Sequence, residues 1–383
     1  MATSTPPIPA CDVLVVGAGI VGLAHAMDAV ARGLSVVVID RDAWAVGASV
    51  RNFGHCCVTA QSGELLELAQ VSRERWLHYS GLAGFFSIES GAIAVAANDR
   101  ELDVLTELAE SREPGQVRLL DALGTRARLS VGAATTGDRS AIVGGAVLRD
   151  DLRVDPREAV SSLAAWLADQ PGVTFHWRTS FFGAADGVAE TSRGAIRAEQ
   201  TIVCVGHDLD YLYPDLALQH EIRRCGLQMA RVEPPAGLVI AEAVLTGTSM
   251  LRYPAFTETA AAGALRTHLD AADPALLEID ANLMFTQRPD GTLIVGDSHR
   301  YGSSVPPFLA EPTSDLLLDR VAAVLGVESL RVLERWQGVY ASSPQHPYLV
   351  HELRPGVTVV AVTSGVGMTI SLGLARKVMG ALY

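Results

Sequence analysis

Positive charge is scarce in this chain of 383 residues: 30 Lys and Arg stand against 43 Asp and Glu, a net charge of −13. No basic block offsets the deficit, which argues against a nucleic-acid partner but leaves room for a small anion held by one or two local arginines. Cysteine is sparse too. Cys11, Cys56, Cys57, Cys204 and Cys225 form no C-x-x-C pair and no metal-ligand spacing, so a zinc ribbon or a disulfide framework is not expected. Four of them sit beside apolar residues and read as reduced, buried thiols of a cytoplasmic protein. Uninterrupted apolar runs of membrane-spanning length are missing, because His25, Asp28 and Arg32 break the amino-terminal one. Residues 1–10 lack a basic start and read as a loose tail, not a signal peptide. No H-E-x-x-H motif and no supported Ser/His/Asp arrangement appear, so neither metal nor nucleophilic catalysis is expected. No internal repeat is visible. At 49% hydrophobic and 19% charged residues, the composition is that of a well-buried globular protein with room for two domains.

What is present begins at residue 12, in DVLVVGAGIVGLAHAMDAVARGLSVVVIDR. Residues 13–16 read as a buried parallel strand. Gly17, Gly19 and Gly22 fill a G-x-G-x-x-G pattern as a helix begins, with Ile20 beside them also expected to bind the cofactor, and a second apolar run, 34–39, ends at Asp40. Gly17 permits the tight turn, Gly19 lets backbone N–H groups reach a pyrophosphate, and Gly22 allows close helix–strand packing. The helix start adds unpaired donors and the positive end of its dipole. Asp40 can accept hydrogen bonds from both ribose hydroxyls, which disfavours a 2′-phosphate. Together these predict a dinucleotide site.

Further along, residues 62–79 and 100–111 predict helices, as does the region 119–129, while 87–97 and 141–148 predict strands. Pro156 opens a helix over 156–168. Residues 172–177 predict a strand, a hairpin follows near 185–187, and 201–205 form a short apolar strand ending at Gly206. The texture then changes. Short segments at 226–232, 250–255, 282–287 and 292–296, with turn residues between them, predict an antiparallel sheet, accompanied by helices at 274–277 and 313–324. The end returns to strand (357–362), glycine loop and helix (370–382). The nucleotide half is therefore split: 11–85, 141–215 and 345–383 are expected to form it, and 86–140 with 216–344 the substrate domain. Such a split suits flavoproteins, whose long FAD needs contacts from several segments.

At this point the chain resembles the glycine oxidase/D-amino-acid oxidase superfamily of FAD-dependent amine oxidoreductases over nearly its whole length. The resemblance is carried by VVGAGIVG and VVVIDRD at the start, GASVRNFG at 47–54, TIVCVGHD at 201–208, RPDGTLIVGDSHRYG at 288–302 and TSGVGMTISLGLA at 363–375. GASVRNFG and GDSHRYG look most like a subgroup found with phosphonate-degradation enzymes. The implied fold is α/β: an FAD-binding Rossmann-like domain of the glutathione-reductase type with an inserted antiparallel-sheet α+β substrate domain. The implied cofactor is FAD. Asp40 would bind the adenosine ribose and Arg41 cover the adenine. Ser49, Arg51, Asn52, Phe53 and Gly54 would form the loop over pyrophosphate and isoalloxazine. Phe181 would meet adenine through its backbone, and Gly206 would line the flavin. Gly365, Gly367, Met368 and Thr369 would bring backbone and a helix start to the flavin edge.

For the substrate, Arg252 in SMLRYPAF and Arg300 in GDSHRYG are candidates to fork onto a carboxylate or phosphonate; Arg300 fits a solvated surface arginine equally well. His299 is the candidate catalytic residue, able to change charge near neutral pH and orient an amine, or else a structural histidine. Tyr253, Tyr301 and Tyr340 are wall candidates. Two departures stand out. Gly338 occupies the place where sarcosine-oxidase-type relatives attach flavin through cysteine, so the FAD is expected to be noncovalent. His55, Cys56 and Cys57 follow RNFG where the subgroup has larger apolar residues, and His55 is expected to face flavin or substrate. The resemblance implies oxidation of a small anionic amine, such as 2-aminoethylphosphonate, its N-methyl form or an amino acid, to an imine, with oxygen or another electron acceptor closing the cycle. Flavin-dependent oxidation of a hydroxy or other C–H substrate in biosynthesis, and a flavin-binding regulatory protein, stay open as alternatives.

Overall fold

A computed structural model describes residues 10–129 and 141–383; the expected loose tail over 1–9 lies outside them. Alternation within the first strand sets the architecture. In Cys11–Val16, Val13 and Val15 turn to one apolar cluster and Leu14 and Val16 to another, all at most 4% exposed. A strand buried on both faces belongs in the middle of a covered parallel sheet. It pairs in parallel with Val36–Asp40 on one side and with Gly194–Val203 on the other. Val173–Trp177 and Val357–Val362 extend that parallel core, and Tyr348–Arg354 closes one edge antiparallel. The expected hairpin is present as Phe181–Ala185 and Val188–Thr191.

Among the described residues, the second sheet has nine strands and is mostly antiparallel. Its long central strand, Arg223–Val232, pairs along its length with Val332–Ser342. Gly144–Leu148, which sequence alone placed in the nucleotide half, pairs with Ala92–Ala96 in this second sheet instead. Two other expectations fail locally. Val117–Asp121 is a strand, not helix, because its backbone pairs with Gly144–Leu148, and Asp121 then caps the short helix Ala122–Arg128 through Gly124 N–H (2.7 Å). The segment 250–255 is not a strand either. Pro254 starts the helical turn Pro254–Thr257, and Tyr253 N–H bonds back to Ser249 O; proline pre-set for a first turn wins over the apolar pattern.

The carboxyl-terminal helix, Gly367–Leu382, lies against Gly63–Ala83 at backbone contact. A Cβ on Gly373 would sit 2.2 Å from Leu68 O, and Ser72 Oγ accepts from Gly373 N–H at 2.8 Å. Trp76 Nε1–H donates to Met368 O at 2.7 Å, so the helix start is fixed as well as its middle. Among the described residues, no helix is long and apolar enough to cross a membrane. Gly373→Ala forces the two helices apart and is expected to cost about 1–3 kcal/mol, as overpacked cores do. Urea denaturation checks this; an unchanged midpoint would show that the contact yields freely.

Candidate active site

The carboxyl ends of the parallel strands open into a cleft of about 650 Å³ that continues under the second sheet. That size suits a small-molecule site. At one end, Gly17 turns with φ +102°, and a Cβ there would lie 2.4 Å from Cys204 O. A Cβ on Gly22 would lie 1.9 Å from Gly17 O. Gly22 thus serves helix packing below the cleft, while Gly17, Gly19 and Ile20 line it. Asp40 braces the glycine loop: its Oδ2 accepts from Ala18 N–H at 2.7 Å and its Oδ1 from Asp42 N–H at 2.8 Å. Burial raises its carboxyl above the ordinary range. Ser49 Oγ accepts from Ile20 N–H at 2.9 Å, which joins the covering loop to the helix start.

Within that loop, Asn52 donates to Ala48 O and Ser49 O and accepts from Gly54 N–H, so it shapes the turn. Arg51 donates to Gln337 O and Phe53 O accepts from Thr286, which fastens the loop to the second sheet. Ser49, Arg51, Asn52 and Phe53 all line the cleft; Gly54 stands behind it, where a Cβ would meet Val154 O at 2.0 Å. Arg41 lines the far end and pairs with Asp208 (2.7 Å), which Arg224 also holds. Asp208 and Tyr211 line this end beside Phe181 and Gly206 and escaped the sequence reading. On the opposite flank Gly365, Gly367 and Met368 line the cleft, whereas Thr369 faces inward and accepts from Cys57 N–H. The residues fit FAD: a carboxylate for ribose, two helix starts at Gly19 and Gly367 for anionic atoms, and side-chain-free backbone at Gly206 and Gly367, where an added Cβ meets nothing closer than 3.9 Å.

The other end is a cluster of charge under cover. Arg252 donates to Tyr340 Oη (2.8 Å) and Tyr301 Oη (3.3 Å) and lies 3.5 Å from Asp280. His299 Nδ1 meets Asp280 O at 2.8 Å, so the proton sits on Nδ1 and Nε2 is a lone pair. Burial, with Arg252 beside it, holds His299 well below its usual range. It is therefore a neutral ring, not the group changing charge near neutral pH that the sequence suggested. Asp297, 4% exposed, faces the same space, and burial pushes its carboxyl up to about 7. Sequence reading passed over it, although a lone charge directly after the apolar strand Leu293–Gly296 was a usable signal.

The substrate candidates are only partly brought together. Arg252, Tyr253, His299 and Tyr340 line the cleft. Tyr301, 38% exposed, reaches Arg252 from the rim. Arg300 does not line it: on the strand Arg300–Gly302 neighbouring side chains alternate faces, and it is Tyr301 whose hydroxyl reaches Arg252. His55 is also away from the cleft, buried with Nε2 at 2.7 Å from Asp151 Oδ2. Cys56 points its thiol to Met368 O, and all five cysteines are buried and unbridged. His55, Cys57 and Asp151 bring ligand atoms within 4.8 Å, but the Asp151 oxygens are already committed to His55 and Thr59 N–H.

Asp40→Ala removes the brace of the glycine loop and the carboxylate that would meet a ribose, and is expected to weaken FAD retention. Flavin content after extended dialysis reads this, and full occupancy in the variant would contradict the role.

Comparison with known proteins agrees with this geometry. Residues 12–380 match the family described as DAO, FAD dependent oxidoreductase. The chain is 27% identical over 248 residues to a gamma-glutamylputrescine oxidoreductase of Escherichia coli (strain K12), a match covering 58% of this chain and only 55% of that relative. In fold it is similar to the L-proline dehydrogenase from P. horikoshii, with TM-score 0.79 at 17% identity over 98% of this chain and 94% of that one. It is also similar to the glycine oxidase from Bacillus cereus ATCC 14579, with TM-score 0.77 at 16% identity over 97% and 94%. The match over almost the entire length settles the family: the chain belongs to the DAO family of FAD dependent oxidoreductases.

Proposed function

We propose that this protein oxidises a small amine bearing an anionic group, an aminophosphonate or an amino acid, to an imine that water then hydrolyses. The observation that carries the reading is Arg252, a permanent cation turned into the substrate end of the cleft between Tyr301, Tyr340 and neutral His299. An arginine held by hydroxyls keeps donors for a forked pairing with carboxylate or phosphonate. The similar proteins named above are, by name, an oxidoreductase of an amine and enzymes of proline and glycine, which supports an amine over other substrates.

FAD, when bound, supplies the hydride acceptor. The chain supplies position. Arg252 fixes the anionic end, Tyr253 and Tyr340 wall the small volume, and His299 stays uncharged so that it does not repel an ammonium. Holding the reacting carbon in one orientation lowers the barrier by converting the encounter into an effectively unimolecular step. The FAD would be held without a covalent bond: Gly338 lines the cleft without offering sulfur, and Cys204 turns its thiol toward His25.

Anaerobic mixing with 2-aminoethylphosphonate, its N-methyl form, glycine and sarcosine should bleach the flavin with at least one of them. Bleaching only by a hydroxy compound would replace the amine reading. Arg252→Ala should raise KM by the equivalent of about 2–5 kcal/mol, the loss typical of a desolvated charge pair; an unchanged KM would remove Arg252 from the site. Acid precipitation should leave yellow flavin in the supernatant, and a yellow pellet would reveal a covalent bond.

A further inference from the structure

The substrate end holds one carboxylate that the reading above leaves idle. Asp297 is pinned at its backbone, donating to Asn282 O (2.9 Å) and accepting from Asn282 N–H (2.8 Å). Its Oδ1 is buried with no hydrogen-bond partner, and its Oδ2 lies 3.8 Å from His299 Nε2, beyond hydrogen-bond reach. An unpaired polar atom under cover is costly, and native structures keep few of them.

Of its neighbours, the Asn282 side chain reaches this carboxylate, while the other donors point elsewhere and Oδ1 stays unmatched. Arg252 donates to Tyr340 and Tyr301. His299 donates from Nδ1 to Asp280 O, and its Nε2 has no proton to give. The Tyr253 hydroxyl donates to Met284 sulfur, and the Asn282 amide donates to Tyr253 while accepting from Ser249. Oδ1 is therefore left for a donor that enters the cleft, and a buried carboxylate there favours an N–H bearing positive charge.

We propose that Asp297 is the ammonium subsite: Oδ1 accepts an N–H of the substrate's amino group and takes its proton, while Arg252 holds the anionic end. This rests on the amine reading of the cleft and sharpens it to zwitterions with ammonium and anion on separate ends of a short chain. In the proton step an N–H bond breaks and an O–H bond forms on Oδ1, with no change in oxidation state. The nitrogen keeps the electron pair, which the carbon needs when it gives up hydride.

The electrostatics agree with the geometry. Burial lifts Asp297 to about 7, Asp280 adds to the rise, and Arg252 and Asn282 oppose it. Tyr253 and Cys225, which also feel its charge, are kept protonated by burial, and His299 is kept neutral. A base near neutrality is matched to accepting an ammonium proton at physiological pH. Below about 7 Asp297 carries its own proton and can take no other, so kcat/KM falls as pH drops through that value.

The test uses the FAD-loaded enzyme, D297N and whichever amine of the panel above bleaches the wild type, with ethylphosphonate as the anion that lacks an amine. The expected result for D297N is unchanged flavin content and unchanged ethylphosphonate binding by flavin absorbance. Its kcat/KM for the amine should fall about 10²-fold, with the acid limb near pH 7 gone. Should D297N not load FAD, Asp297→Ser is read against the same limits. A variant that keeps its kcat/KM and its acid limb overturns the subsite while leaving the amine reading intact. A wild type bleached by no amine overturns that reading and the subsite with it.

Discussion

Close approach of backbone to backbone is the constraint on which the molecule depends. At Gly17 against Cys204 O, at Gly22 against Gly17 O and at Gly373 against Leu68 O, even a methyl group would lie inside van der Waals contact. The first two bring the helix Ile20–Ala31 down onto the sheet so that its start opens at the strand ends. The third seats the carboxyl-terminal helix so that its own start opens opposite. The cleft is what lies between these two helix starts, and its electrostatic character follows from where they point.

The second sheet completes the site rather than merely flanking it. Arg51 and Phe53 of the covering loop are hydrogen-bonded to Gln337 and Thr286, so the loop over the cofactor end is fastened to strands that carry the substrate end. Arg252 comes from the turn between the short helices Gly247–Met250 and Pro254–Thr257, Tyr340 from a long strand, and Asp297 and His299 from the close of another. Three distant stretches of chain thus meet around a volume suited to a small molecule, and a charged cluster is tolerated there because most of its members are paired.

Much of the nucleotide half was legible because its demands fall on the backbone. Gly17, Gly19 and Gly22 are spaced by the turn itself, and Asp40 ends a strand whose apolar run is unmistakable. Arg252 could be read from its apolar and aromatic neighbours. The resemblance, not spacing, supplied the roles of the loop around Asn52. Arg300 was placed toward the cleft because a strand of three residues gives no parity until its pairing is known, and it is Tyr301 whose hydroxyl reaches Arg252. His55 faced inward in expectation and into a buried pair with Asp151 in fact, a partner 96 residues away that no local pattern announces. Asp297 was overlooked since an acidic residue after glycine reads as an ordinary turn. The error at 250–255 has a plain cause as well: apolar content is ambiguous between short strand and helical turn, and Pro254 decides it.

One contact joins the two ends of the cleft. The Tyr340 ring rests against Gly365, where a Cβ would come within 3.2 Å of it, and the same tyrosine's hydroxyl accepts from Arg252. Whatever displaces the carboxyl-terminal glycine turn therefore moves the arginine's anchor, and whatever pulls on the arginine bears on that turn. Linkage would make any influence carried through this ring mutual: occupancy at either end would then alter affinity at the other by the same factor.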